Sequence, residues 1–187
     1  MGVIAPNPYV TNEVMEAFNK DILMPTLKGI QEENLDYIGI IFFGIMITSK
    51  GVYLLEYNVR LGDPETEAVL PLMDTDLIDL INAALEGRLS HFNIQWKKEC
   101  ACSVVTASGG YPGSYKKGYP IEIDDNPSEK VFIAGASLSE GKLITSGGRV
   151  LCATALGATK EEAYSRAYEA MNKMSFKDMY FREDIGK

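Results

Sequence analysis

Apolar residues near the N-terminus recur at helical spacing: Val14, Phe18 and Ile22 stand four apart, and Leu27 and Ile30 continue beyond Pro25. This predicts an amphipathic helix capped by Asn12 and kinked or restarted at Pro25, which has no N–H to give the helix. The pattern then turns β-branched and aromatic. Residues 37–48 and 52–59 read as two strands joined by the short turn Ser49-Lys50-Gly51, a hairpin expected in the middle of a sheet. Asp63 and Pro64 are expected to open the next helix, as cap and first helical residue. A further helix from about Asp74-Thr75 carries Leu77, Ile78, Ile81, Ala84 and Leu85 on one face and stops at Gly87.

Between His91 and Glu99 the periodicity lapses, which divides the chain into residues 1–92 and 93–187. The second part is strand-rich, with strands expected over 101–107, 121–123, 131–134, 143–145 and 149–154 and with Gly and Pro turns between several of them. Its last helix starts with a capping box, Thr159-x-x-Glu162, and presents Ala163, Ala167, Ala170 and Met174. The class is α+β: an antiparallel sheet with helices, then a small strand-rich domain ending in a helix.

With 46% hydrophobic and 24% charged residues, the 187-residue chain can bury an ordinary core. A formal net charge of -8 speaks against general affinity for DNA or RNA, though not against a nucleotide held by a metal and a few local charges. The cysteines, Cys100, Cys102 and Cys152, form no CxxC pair and fit core packing in a reduced, cytoplasmic protein. The apolar run at residues 38–47 is too short to span a membrane. Pro6 and Pro8 interrupt any signal-peptide pattern, and His91, the single histidine, is expected in an exposed linker.

Strand periodicity puts Val52, Leu54, Glu56, Asn58 and Arg60 on one face and Tyr53, Leu55, Tyr57 and Val59 on the other, which reads as a core face. A carboxylate and an amide oxygen are hard ligands of the kind Mg²⁺ takes beside nucleotide phosphates. A guanidinium one step further can hold phosphate oxygens by paired hydrogen bonds. The plainer reading of the same pattern is a solvated strand face with a Glu56–Arg60 ion pair. Asp63 and Glu65 likewise fit ordinary helix-start chemistry. In the second part, Gly109-Gly110-Tyr111-Pro112-Gly113 and Gly147-Gly148-Arg149 are either turns or backbone cradles for an anion, and Arg149 is the candidate contact there.

The stretch Glu56-Tyr57-Asn58-Val59-Arg60-Leu61-Gly62-Asp63-Pro64-Glu65-Thr66-Glu67 closely resembles the signature of the phosphoribosylamine–glycine ligases, or glycinamide ribonucleotide synthetases. Met1-Gly2 with Pro6-x-Pro8 and Leu70-Pro71-Leu72-Met73-Asp74-Thr75-Asp76-Leu77 resemble further elements of that family. So do Ala107 to Gly113, Thr145 to Leu151, Thr154-Ala155-Leu156-Gly157 and the closing Phe181-Arg182-Glu183-Asp184-Ile185-Gly186. The resemblance implies the C-terminal lobe of an ATP-grasp domain at 1–92 and the family's C-terminal domain at 93–187. It implies Glu56 and Asn58 as ligands of Mg²⁺ (or Mn²⁺), with Arg60 as the candidate for stabilising the transferred phosphoryl group and Arg149 as a substrate contact. The implied reaction is ATP-dependent ligation of glycine to 5-phosphoribosylamine through glycyl phosphate.

Departures from the pattern shape the expectation. The strand before Glu56 has no carboxylate, so water and phosphates must complete a metal shell, or a ligand must come from elsewhere. Ile133 stands where relatives often carry histidine. The N-terminal half of the family's enzyme is absent from this sequence, so weak or no ligase activity is expected of the chain alone, with self-association through exposed apolar surface. Another carboxylate–amine ligase of the same fold and a non-catalytic binding or assembly module are the competing readings.

Overall fold

A computed structural model describes residues 1–124 and 129–187. In chain order it contains β1 (Gly2–Ala5), α1 (Asn12–Phe18), α2 (Met24–Glu32), β2 (Phe42–Thr48), β3 (Gly51–Asn58), α3 (Glu65–Leu72) and α4 (Leu77–Leu85). Then come β4 (Cys100–Ser108), β5 (Ile121–Ile123), β6 (Lys130–Ile133), β7 (Ala136–Ser139), β8 (Lys142–Thr145) and β9 (Arg149–Gly157). The helix α5 (Lys160–Met171) and the short strands β10 (Met174–Phe176) and β11 (Met179–Tyr180) close the chain. The α+β class holds. Among the described residues no helix is long and apolar enough to cross a membrane.

The chain forms two compact units, Met1–Ala5 with Asp63–Asp74 and Gln95–Lys187, and Pro6–Gly62 with Thr75–Ile94. The first is built on an antiparallel sheet in the order β1-β4-β9-β6, with β11 also paired to β4. Strands β4 and β9 are buried almost throughout because helices cover both faces. Cys102, Val104, Val150 and Leu151 join Ala163, Ala167 and Ala170 of α5 in one core, while Ala101 meets Ala68 and Leu72 of α3 in a second. Buried polar side chains in these strands find partners: Ser103 Oγ lies 2.6 Å from Thr154 Oγ1, and Thr106 Oγ1 accepts from the Leu151 amide at 3.0 Å. Burial without such partners would cost stability.

Helix α5 keeps its capping box in a shifted form. Thr159 Oγ1 accepts from the Glu162 amide, and the Glu162 carboxylate reaches back to the Ala158 amide rather than to that of Thr159. Met174, expected in this helix, begins β10 instead, because α5 stops at Met171 and residues 174–176 pair with β5. The strand β1 has no signature of its own. It exists by pairing with β4, Gly2 opposite Val104 and Ala5 opposite Ala101.

In the second unit Thr11, not Asn12, caps α1, its Oγ1 accepting from the Val14 amide. Pro25 does not break the helical path. A π turn over Asn19–Leu23 absorbs it, and Pro25 sits in the first turn of α2. Asp76 caps α4, one or two residues later than expected, and Gly87 closes it at φ +68° with paired bonds from Gly87 and Arg88 to the Ala84 and Ala83 carbonyls. The apolar row of α4 is exposed, Ile78 to 67% and Leu85 to 65%. The hairpin of β2 and β3 is a two-stranded sheet by itself among the described residues, not the middle of a larger one.

Candidate functional site

The site candidates lie on β3, and the register of β2 and β3 decides which way they face. Ile47, Ile45 and Phe43 oppose Val52, Leu54 and Tyr57; Thr48, Met46, Gly44 and Phe42 oppose Gly51, Tyr53, Glu56 and Asn58. One residue, Leu55, is skipped where the register shifts between Gly44 and Ile45. This is a β-bulge, and it reverses the parity of everything after it. Val52 and Leu54 therefore do not share a face with Glu56 and Asn58. They share one with Tyr57, whose ring stacks edge-on to Phe43 at 5.5 Å, itself edge-on to Phe18 of α1 at 5.3 Å. The Tyr57 hydroxyl lies 2.7 Å from Thr26 Oγ1 on α2. Ile22, Pro25, Ile30, Leu54 and Tyr57 line one apolar groove on this side.

The expectation of a core face formed by Tyr53, Leu55, Tyr57 and Val59 is corrected by the same feature. All four are exposed, Leu55 to 62%, and of them Tyr57 and Val59 line the groove beside the helices.

Glu56 and Asn58 end up together on the open face, and Asn58 Nδ2 donates to Glu56 Oε1 at 3.0 Å. That bond leaves the pair a carboxylate oxygen and an amide oxygen, Oε2 and Oδ1, to offer a hard cation. Opposite Glu56 stands Gly44, where a Cβ would lie 2.8 Å from the Glu56 Cγ, so the side chain occupies a cradle that only glycine leaves open. The donor set and this cradle fit a Mg²⁺ or Mn²⁺ ion bound with few protein ligands. Among the described residues no cluster of three or more His, Cys, Asp or Glu side chains could hold a metal alone.

Arg60 lies beyond the end of β3, so strand alternation does not place it on the Glu56 face. Its Nη1 donates to the Leu61 carbonyl at 2.8 Å, and among the described residues no ion pair joins it to Glu56. The plainer reading thus loses its ion pair but keeps its solvated strand face, on which Glu56 is exposed.

Asp63, Glu67 and Arg149 belong to the other unit. Asp63 is not at the N-cap position of α3. The N-cap position of α3 is Pro64, without a side-chain bond, and Asp63 instead meets Arg149. Arg149 Nη1 donates to the Asp63 carbonyl at 2.9 Å and Nη2 lies 3.1 Å from Oδ2. Nearby Glu67 has a buried oxygen, Oε2, without a hydrogen-bond partner. Desolvation raises its pKa above the usual carboxylate value, with Asp63 and Glu65 adding to the rise and Arg149 opposing it.

The two glycine-rich loops pack on each other. The Ser108 amide and hydroxyl donate to the Gly148 and Gly147 carbonyls, and a Cβ at Gly148 would collide with the Tyr111 ring. The Ser146 and Gly147 amides are committed to the Gly135 carbonyl, so these two are not offered to an anion. Sequence periodicity missed the Arg149–Asp63 contact and the Gly44 cradle, since both depend on residues brought together across the fold. His91 is exposed, as expected, and so is Ile133.

Comparison with known proteins gives the geometry its context. Residues 1–66 match the family described as phosphoribosylglycinamide synthetase, ATP-grasp (A) domain, and residues 101–187 match phosphoribosylglycinamide synthetase, C domain. The phosphoribosylamine–glycine ligase of Clostridium acetobutylicum is 58% identical over 187 residues, which is 100% of this chain and 45% of that protein. The crystal structure of the phosphoribosylamine–glycine ligase of Thermotoga maritima superposes with a TM-score of 0.79 at 37% identity, over 99% of this chain and 46% of that one. A biotin carboxylase domain of the Hydrogenobacter thermophilus 2-oxoglutarate carboxylase, solved with MgADP, ADP and bicarbonate, shares the fold at 17% identity and a TM-score of 0.66, over 95% of this chain and 39% of that one. The chain thus spans about half the length of the curated relatives it matches.

Proposed function

The chain belongs to the phosphoribosylglycinamide synthetase family, and on that premise we propose that it supplies the metal and phosphate corner of an ATP-dependent ligase joining glycine to 5-phosphoribosylamine. The observation that carries the reading is the hydrogen-bonded Glu56–Asn58 pair on the open face of β3, inside the family's signature. In this reading residues 1–92 serve the nucleotide and 93–187 form the C-terminal domain. Glu56 and Asn58 hold Mg²⁺ or Mn²⁺ through oxygens. The ion supplies charge neutralisation at the transferred phosphoryl group.

Arg60, one step beyond the pair, leaves the Leu61 carbonyl to grip phosphoryl oxygens with its fork of donors. Its role is electrostatic: it presents fixed positive charge where negative charge develops as glycine's carboxylate attacks the γ-phosphorus of ATP, ADP leaves and glycyl phosphate forms. The amine of 5-phosphoribosylamine then displaces phosphate to give glycinamide ribonucleotide. Arg149 enters as a substrate contact for which Asp63 competes, because both would use the same guanidinium nitrogens.

ATP sits between two walls in this scheme. The exposed apolar side chains Met46, Tyr53 and Leu55 beside Glu56 are the surface on which we place the second wall, supplied by the remaining length of the relatives. The test is calorimetric titration of the 187-residue chain with Mn²⁺ and ADP, then with Glu56→Ala, followed by mixing with the separately expressed N-terminal half of a relative. We expect metal-dependent binding lost in the variant, no glycine-dependent ADP release from the chain alone, and release on mixing. Turnover by the chain alone, lost in Glu56→Ala, would overturn the two-wall reading. Binding unaffected by the substitution would sink the metal assignment.

A further inference from the structure

We infer that Gly44 is a positioning residue for the metal-binding pair, an assignment that rests on the reading of Glu56 and Asn58 as ligands. The strand β2 is otherwise aromatic, β-branched or similarly bulky, Phe-Phe-Gly-Ile-Met-Ile-Thr, and glycine inside a strand weakens it by adding chain entropy and withholding a side chain. Gly44 has no left-handed φ to justify it. Its reason is space. The bulge at Leu55 brings Glu56 directly opposite Gly44, and the Glu56 side chain lies across the glycine, with Cγ 2.8 Å from where a Cβ would stand. A Cβ does not approach a non-bonded carbon that closely.

Two features therefore set the ligand geometry together. The bulge turns Glu56 and Asn58 to the open face, away from the aromatic packing of Phe43 and Tyr57. Gly44 then lets Glu56 lie flat on the sheet, within 3.0 Å of the Asn58 amide. A methyl at position 44 forces Glu56 into another rotamer and parts the two ligands, while the ladder hydrogen bonds of β2 and β3 are untouched.

The test uses the 187-residue chain in four forms: native, Gly44→Ala, Glu56→Gln and Asn58→Ala. Mn²⁺ affinity in the presence of ADP is measured by electron paramagnetic resonance. In parallel, side-chain amide resonances of Asn58 are followed by NMR without metal, with backbone cross-strand contacts as the check on folding. We expect Gly44→Ala to keep those contacts, to shift the Asn58 side-chain amide as Glu56→Gln does, and to weaken Mn²⁺ binding about tenfold to a hundredfold, the range for residues that orient metal ligands. If Glu56→Gln and Asn58→Ala lose Mn²⁺ but Gly44→Ala binds as the native chain does, the positioning role is overturned and the ligand assignment stands. If neither ligand variant changes Mn²⁺ binding, the ligand assignment itself falls. An Asn58 amide resonance unmoved in Gly44→Ala overturns the geometric claim whatever the metal does.

Discussion

Arg149 and Asp63 come from positions 86 apart and meet within one compact unit, so their contact can be weighed in a single unfolding transition. The side chains are 36% and 49% exposed, which screens the charges and puts the ion pair in the range of about 0.2–1 kcal/mol. The fork geometry, with one nitrogen on the carboxylate and one on the Asp63 carbonyl, argues for the upper end of that range. Arg149→Met loses both contacts and should cost about 1–2 kcal/mol, counting the hydrogen bond to the carbonyl. Asp63→Asn keeps the carbonyl acceptor and loses the charge, so it should cost less than about 1 kcal/mol.

The assay is a double-mutant cycle in urea. The coupling between the two substitutions should be about 0.5–1 kcal/mol and should shrink as ionic strength rises. Arg149→Lys should fall between native and Arg149→Met, because an ammonium keeps the charge but not the fork that reaches both acceptors. A coupling indistinguishable from zero would refute a stabilising Arg149–Asp63 contact. The cycle also sharpens the substrate reading: Asp63→Asn removes Asp63's charge from the guanidinium and should strengthen binding of a phosphate-bearing ligand if Arg149 is a substrate contact, and weaken it if Arg149 acts only by holding Asp63 in place.

Two further outcomes follow from burial. A raised folded pKa for Glu67 means that stability is full below its ordinary value of about 4.5 and is lost as pH rises through the raised value, since ionising the buried carboxyl costs desolvation. Glu67→Gln should therefore raise the melting temperature at pH 8 and lose that advantage toward pH 4; a gain that grows on acidification contradicts the sign. Burial also pushes the Cys102 thiol up to about 11 and the Cys152 thiol up to about 12. At pH 8 a thiol reagent should modify half-buried Cys100 first and reach the other two only on unfolding, as mass spectrometry of timed samples can check; early labelling of Cys152 counts against the packed core.

What the sequence disclosed was local. The apolar runs of β4 and β9, the Thr159 cap with Glu162 three residues on, and the Gly87 stop are each readable within one window, and each is present. What it concealed depends on partners far along the chain. The four residues of β1 have too little pattern to announce a strand that β4 recruits about a hundred positions later. Asp63 followed by proline reads as a helix cap until Arg149 claims its carboxylate. Pro25 reads as a breakpoint, because a π turn that widens the helix ahead of it leaves no residue of its own in the pattern.

The bulge at Leu55 moves Glu56 and Asn58 to the face opposite the one strict alternation gives them, yet keeps the two together. Strict alternation through β3 would set Glu56 and Asn58 on the face of Val52 and Leu54, the face that Phe43 and Tyr57 fill against α1 and α2. A carboxylate turned into that packing would lose its water without gaining a partner, a cost that opposes folding. One skipped residue reverses the parity and exchanges that outcome for an open face. The grouping of Glu56 with Asn58 survives because both lie after the skip, where period two resumes. Arg60 does not inherit it, since β3 ends at Asn58 and the backbone bends before the guanidinium is reached. Where its guanidinium lies then depends on the loop from Val59 to Gly62 and on side-chain length rather than on the sheet. Arginine, with a long stem and a planar fork, tolerates such a position; a metal ligand, held to within a few tenths of an ångström, does not. On the proposed reading, that difference accounts for a ligand pair on the ladder, over Gly44, and a cation beyond it.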